Sequence, residues 1–154
     1  MAFYSRKSPR LPGYDYTTEN YYFVTICTHD KACIFGTPNK LSPLGEIVFQ
    51  HLQALSSHYK SVNVDVFRVM PNHVHFIVAF GADADRSLDV VVGLFKSGVT
   101  RQIRKTDPKC NVWQRSFHDH IIRNQREYEQ IWQYIQFNDQ KWETDCFYLK
   151  QSDL

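Results

Sequence analysis

The stretch "VNVDVFRVMPNHVHFIVAF", residues 62–80, alternates apolar and polar positions, breaks at Pro71-Asn72 and then alternates again. Val62, Val64 and Val66 carry the first half; Val74, Phe76, Val78 and Phe80 carry the second. Period-two alternation marks half-buried strands, and Pro-Asn marks a tight connection, so the stretch predicts two paired strands. Upstream, "NYYFVTICTH" (20–29) is dense in aromatic and β-branched residues and reads as another strand. "HDKACIFGTPNKLSP" reads as a loop. Residues 44–59 then place Ile47, Val48, Leu52 and Leu55 at helical spacing, with Ser42 positioned as N-cap. After the turn "GADADRS", residues 88–105 put Leu88, Val91, Val92, Phe95, Val99 and Ile103 on one helical stripe. Residues 112–123 read as one strand or a bent pair, and residues 126–142 as a last helix. The resulting order is β-α-β-β-α-β-α. It predicts an α+β, ferredoxin-like (RRM-like) antiparallel sheet with an appended C-terminal helix.

The alternation also places two imidazoles. Residues at i and i+2 of a strand share a face, roughly 6.6 Å apart. His73 and His75 therefore point the same way, with Val74, Phe76 and Val78 on the other side. Two imidazoles at that spacing can converge on one ion or one phosphate; they are equally consistent with polar residues on a wet strand. Ile77 and Ala79, next along the histidine face, predict that this face is covered. On the last helix, at 100° per residue, Tyr128, Ile131, Trp132, Ile135 and Trp142 form the predicted core stripe. Tyr134 and Asn138 lie on its flank, one turn apart, where a side chain can reach a groove beside the sheet.

The 154 residues suit one domain, 1–154. Net charge is only +2, so the molecule is no polycation, and the placement of charge matters more than its sum. Arg6, Lys7 and Arg10 cluster in an N-terminal arm, residues 1–19. Lys96, Arg101, Arg104 and Lys105 cluster on the second helix, where Lys96, Thr100 and Arg104 recur every four residues. Both clusters are candidate nucleic-acid contacts; a merely solvated helix face is the plain alternative for the second. The four cysteines form no C-x-x-C pair, which argues against a zinc ribbon. There is no apolar leader and no run of eighteen apolar residues, so a cytosolic chain with reduced thiols and no membrane span is expected. His118 and His120 repeat the H-x-H spacing, but Asp119 between them fits such a motif poorly. They are expected to be strand or loop residues near the site.

"MPNHVHFIV", followed some sixty residues later by "YIQFN" on a terminal helix, resembles the single-tyrosine HUH transposases, an insertion-sequence family. The likeness is greatest to their REP-associated tyrosine transposase branch. It extends through "FVTICTHD", "FKS", "WQRSFHDHIIR" and "IWQYIQFN", most of the chain. In that branch Asn-Pro usually follows the tyrosine segment; here Asp139 follows Asn138, which bears on where the helix ends. The resemblance implies that His73, His75 and Asn138 hold a divalent metal, Mg²⁺ or Mn²⁺. It implies that Tyr134, on the catalytic helix 126–142, attacks a phosphodiester to form a 5′-phosphotyrosine. It further implies a single-stranded or hairpin DNA substrate, and either a monomer or a homodimer with sites shared between chains. Two other readings stay open at this point. One is an RRM-like binder of single-stranded RNA without catalysis, although no "RGFGFV"-like string is present. The other is a domesticated transposase that binds DNA without moving it.

Overall fold

The computed structural model describes residues 20–37 and 39–137. Its elements are β1 (Asn20–Cys27), β2 (Gly36–Thr37), β3 (Lys40–Leu41), α1 (Pro43–His58), β4 (Val62–Met70), β5 (His73–Phe80), α2 (Leu88–Ile103), β6 (His118–Ile122) and α3 (Gln125–Gln136). Four strands form one antiparallel sheet in the order β4-β5-β1-β6, while β2 and β3 pair as a small ribbon within the loop that precedes α1. The expected ferredoxin-like α+β architecture is therefore present, with the long first strand and the second half of the hairpin at the centre of the sheet.

The sheet separates two cores. On one face Tyr22, Val24, Ile26, Val74, Phe76, Val78 and Phe80 pack against α1 and α2. The buried residues of α2 are Leu88, Val91, Val92, Phe95, Val99 and Ile103, the same six that the helical stripe predicts. α1 begins as expected at Ser42, whose Oγ accepts from Gly45 N at 3.1 Å, with Pro43 at the first helical position. On the opposite face Phe23, Val66, Ile77 and Ile122 pack against Ile131 and Ile135 of α3, with Tyr128 and Tyr134 alongside.

Three sequence expectations need correction. Residues 112–117 are not a continuous strand: only 118–122 joins the sheet, and Trp113 makes an isolated bridge to Thr28. Trp132 is not on the buried stripe of the last helix but 37% exposed. α3 sits rotated towards Tyr134, because Ile131 and Ile135 occupy the groove between Phe23 and Ile77. The helix also ends at Gln136, with Phe137 as its non-helical C-cap, earlier than the run to 142. Asn138, Trp142, Cys146 and the N-terminal arm with Arg6, Lys7 and Arg10 lie outside the described residues.

The start of α3 is held by a reciprocal cap. Glu127 N donates to Asn124 Oδ1 at 2.8 Å, and Arg123 N donates to Glu127 Oε1 at 2.9 Å. His120 on β6 stands 3.0 Å from the other Glu127 oxygen, tying the cap to the sheet. Asn124→Ala is expected to lower unfolding free energy by about 1 kcal/mol, the usual worth of such a cap, readable as a shift of the urea midpoint at unchanged m-value. No described helix is long and apolar enough to cross a membrane, and Cys27, Cys33 and Cys110 are free thiols.

Candidate active site

Strand register brings one polar row across the α3-facing side of the sheet. Arg68 of β4 pairs with His75 of β5, His75 with Thr25 of β1, and Thr25 with His118 of β6. Residues directly opposite in antiparallel strands point to the same face. One step along, Met70, His73 and Cys27 form the neighbouring row. His73 and His75 thus share a face, as period two requires.

Their rings converge. The Nε2 atoms of His73 and His75 are 2.9 Å apart, and the ring centroids 4.4 Å apart. Both residues are 0% exposed, yet their outer nitrogens have polar partners. His73 Nδ1 lies 2.8 Å from Asn72 Oδ1, and His75 Nδ1 lies 3.0 Å from Thr25 Oγ1. Asn72 Nδ2 donates to Lys31 O at 3.3 Å, which fixes the amide orientation and leaves Oδ1 as acceptor. His73 Nδ1 must then be the donor, so a neutral His73 presents a bare lone pair from Nε2 towards His75. Thr25 can donate or accept. If it accepts from His75 Nδ1, the two Nε2 lone pairs face one point; if it donates, His75 Nε2–H bonds to His73.

This donor set fits a divalent ion. Two ligands about 2.1 Å from one ion and at right angles to it lie about 3.0 Å apart, as in octahedral coordination, close to the spacing here. A metal-ligating histidine usually has its outer nitrogen held by a hydrogen-bond partner, and here Asn72 Oδ1 and Thr25 Oγ1 take that place. Among the described residues no cluster of three or more His, Cys, Asp or Glu could hold a metal, so an ion at this pair would need further ligands of another type or from elsewhere. Asn138, expected as the third ligand, is outside the described residues.

α3 lays Tyr134 against His75. Its ring is T-shaped to His75 at 5.3 Å and to Phe23 at 6.2 Å. Tyr128, the other tyrosine of this helix, is differently placed. Its hydroxyl donates to Asp65 Oδ2 at 2.7 Å, and its ring packs edge-on against Tyr21. Burial, and then the Asp65 carboxylate, push the Tyr128 phenol above its usual range, so it gives up its proton less readily than an ordinary tyrosine.

The basic cluster of α2 lies on the other face of the sheet, at the same end as the histidines. Lys96, Thr100, Arg101, Arg104 and Lys105 line a groove of about 660 Å³ with the segment 111–115, including Arg115. The segment is fixed at this end by Gln114 N, which donates to Cys27 O at 2.9 Å. Two of the cations already have structural duties. Lys96 Nζ donates to Gln114 O and Ser116 O at 2.8 and 3.2 Å, and burial holds its ammonium below the usual lysine range. Arg104 Nε donates to Cys110 O at 3.0 Å. Arg101, Lys105 and Arg115 are exposed. His118 and His120 lie on β6 on the histidine-pair face, two strands from β5, with His118 in the row of His75.

Arg68, Thr25, Asn72 and Arg115 were not singled out by sequence reasoning. Register brings Arg68 and Thr25 to the histidines and a folded loop brings Arg115 to the α2 groove, with no local signal; Asn72 stands next to His73 in the chain, but only the fold shows its amide on the ring.

Comparison with known proteins adds the lineage. The family model for IS200-like transposases matches residues 18–138. An uncharacterized protein of Haemophilus influenzae is 34% identical, over 94% of this chain and 93% of its own. A second protein from that organism, provisionally named a REP-associated tyrosine transposase, is 25% identical over 82% of this chain and 74% of its own. Among solved structures, a REP-associated tyrosine transposase bound to a REP hairpin superposes with a TM-score of 0.61 at 18% identity, covering 92% of this chain and 74% of that one. A provisionally assigned transposase from Deinococcus radiodurans gives 0.55 at 18% identity, covering 82% and 95%. At that identity the two structures speak for the fold. The chain belongs to the IS200-like transposase family, with kinship to its REP-associated tyrosine branch.

Proposed function

We propose that this transposase cleaves and rejoins single-stranded DNA through a covalent bond to Tyr134, with His73 and His75 holding a divalent metal, Mg²⁺ or Mn²⁺. The observation that carries the reading is the convergence of the two Nε2 atoms at 2.9 Å, with the ring of Tyr134 packed on His75. When bound, the ion supplies Lewis-acid polarisation of the scissile phosphodiester and offsets charge that develops on it. The imidazoles favour Mn²⁺ over Mg²⁺ in vitro.

The chain's own residues supply the rest. Asn72 and Thr25 hold the imidazoles in the tautomers that turn Nε2 inward. The Tyr134 oxygen attacks phosphorus, the bond from phosphorus to the 3′ oxygen breaks, and that oxygen leaves as a 3′-OH with a proton. A 5′-phosphotyrosine remains. A phenol, with a pKa of about 10, is easier to deprotonate than an alkyl alcohol and leaves more readily, so a 3′-OH can reverse the step and join a new strand. The histidine pair is closed to solvent in this structure. The phosphate therefore reaches it only when the cover over the pair opens.

A single strand or hairpin suits a site floored by a sheet and roofed by a helix, because a duplex does not present one bare backbone to such a cleft. The hairpin-bound structural relative agrees with this substrate class. The α2 groove on the opposite face is assigned to phosphates flanking the cleaved segment. Because Lys96 and Arg104 hold backbone carbonyls, the salt-dependent affinity is expected mainly from Arg101 and Lys105. In Arg101→Ala/Lys105→Ala protein the slope of log K against log salt should flatten by roughly 0.7 for each phosphate of a single strand that these two side chains neutralise. An unchanged slope in fluorescence-anisotropy titrations would put the DNA path elsewhere, with the N-terminal arm at Arg6 and Lys7 the next place to substitute.

The deciding experiment is incubation with an end-labelled single-stranded hairpin and Mn²⁺, followed by a denaturing gel. A protein–DNA band that survives denaturation is the expected result. Binding without such a band would mean a binder, either of RNA or of DNA it no longer moves.

A further inference from the structure

The last turn of α3 contains no basic residue. A helix C-terminus carries partial negative charge and orphan carbonyls, and here it ends beside the ring pair of Tyr134 and His75. A phosphate approaching His75 would meet that negative end. The compensating charge comes from the sheet. Arg68 of β4 donates from Nε to Ile135 O at 3.4 Å and from Nη2 to Gln136 O. Ile135 O also accepts from the Phe137 N–H, which reaches Gln133 O as well. Register puts Arg68 there: it pairs directly with His75 and leaves the sheet on the same face, one strand away.

We propose that Arg68 is a positioning residue for the nucleophile. It clamps the last turn of α3 to the sheet beside the histidine pair and so fixes where Tyr134, whose ring packs on His75, stands relative to that pair. The proposal rests on the reading of Tyr134 given above. Terminal helical turns fray at almost no free-energy cost unless tertiary contacts hold them. Tyr134 lies in that turn, immediately before Ile135. The planar guanidinium spans two successive carbonyls from a fixed fork, which a lysine ammonium cannot do. The same contact places positive charge over the helix end that would otherwise repel the substrate. The sequence that follows Gln136, "FND", offers neither proline nor glycine to end the helix, and the Arg68 fork closes that stop instead.

The test compares wild type, Arg68→Ala and Arg68→Lys in the full chain. Three quantities are read: the single-turnover rate of adduct formation at saturating DNA and Mn²⁺, the DNA Kd, and amide hydrogen exchange along α3 and β5. Arg68→Ala is expected to slow adduct formation by about 10- to 100-fold, the usual consequence of a small misplacement of a reacting group. Its Kd should stay within about threefold of wild type, since phosphate contacts elsewhere carry the affinity. Exchange should rise at residues 133–137 and stay unchanged at 74–78. Arg68→Lys should recover part of the rate, because it keeps the charge and loses the fork. An unaltered rate, or unaltered exchange at the helix end, would overturn the proposal. So would a Kd that weakens in step with the rate, which would make Arg68 a DNA contact. Full recovery by lysine would also overturn it, leaving charge alone. If wild type itself forms no adduct, the tyrosine reading fails and the catalytic half of this proposal fails with it, while the exchange data still decide whether the clamp exists.

Discussion

Tyr134→Phe protein is expected to form no covalent adduct with a labelled single-stranded hairpin in the presence of Mn²⁺, while Tyr128→Phe protein forms it as wild type does. The contrast follows from what each hydroxyl touches. Tyr128 lends its proton to Asp65, and burial together with that carboxylate raises its pKa, so it is a poor nucleophile held away from the histidines. Tyr134 packs on His75. Removing one oxygen keeps the ring and its contacts with His75 and Phe23, so folding should be preserved and the loss should be chemical. A nucleophile deletion typically removes several orders of magnitude in rate, which on a gel is absence of the band. An adduct that persists in Tyr134→Phe, or that vanishes only in Tyr128→Phe, would reassign the attacking oxygen. The second variant also carries a stability prediction. Tyr128→Phe leaves the Asp65 carboxylate without this donor, and about 1 kcal/mol of stability should go with it, measurable by urea unfolding.

The two halves of this site differ in how far a sequence can disclose them. A strand has a period of two, with no freedom in it, so the shared face of His73 and His75 could be read from the string "HVH". The six buried residues of α2 were likewise readable, because that helix presents one continuous apolar stripe. α3 is harder. Ile131 and Ile135 are its only fully buried residues, and the rings of Tyr128, Trp132 and Tyr134 surround them on both sides. A rotation of a few tens of degrees exchanges Trp132 for Tyr134 at the sheet, and the local pattern does not choose between the two. The choice is made by the groove between Phe23 and Ile77, which belongs to strands about a hundred and about fifty residues upstream. Thr25, Asn72 and Arg68 escaped for a related reason. Each acts through a cross-strand partner or a turn, and a polar residue in an alternating strand looks the same whether it meets water or an imidazole.

That dependence on partners gives the histidine prediction its sharpest form. His73→Ala and His75→Ala should each abolish the adduct and the binding of Mn²⁺ measured by calorimetry, while DNA affinity stays near wild type because the ion site does not carry it. Both rings are buried, however, so truncation also opens a cavity and strips Thr25 or Asn72 of its partner, at a cost of about 1–3 kcal/mol. A loss of activity alone would then not separate metal binding from folding. Thr25→Val does separate them. It is close in shape, keeps both imidazoles, and removes only the oxygen 3.0 Å from His75 Nδ1. On the reading in which Thr25 accepts from His75 Nδ1, its removal releases His75 from the tautomer that turns its lone pair towards His73. Loss of an outer hydrogen bond of this kind weakens metal binding by about 10- to 100-fold. The expected result is therefore a Thr25→Val protein that still folds, with an unfolding free energy in urea lowered by about 1–3 kcal/mol for the unpartnered imidazole, whose Mn²⁺ affinity drops by that factor, and whose adduct yield recovers as Mn²⁺ is raised. Unchanged Mn²⁺ affinity in Thr25→Val would remove the tautomer argument. Unchanged affinity in both folded histidine variants would remove the metal from this site altogether.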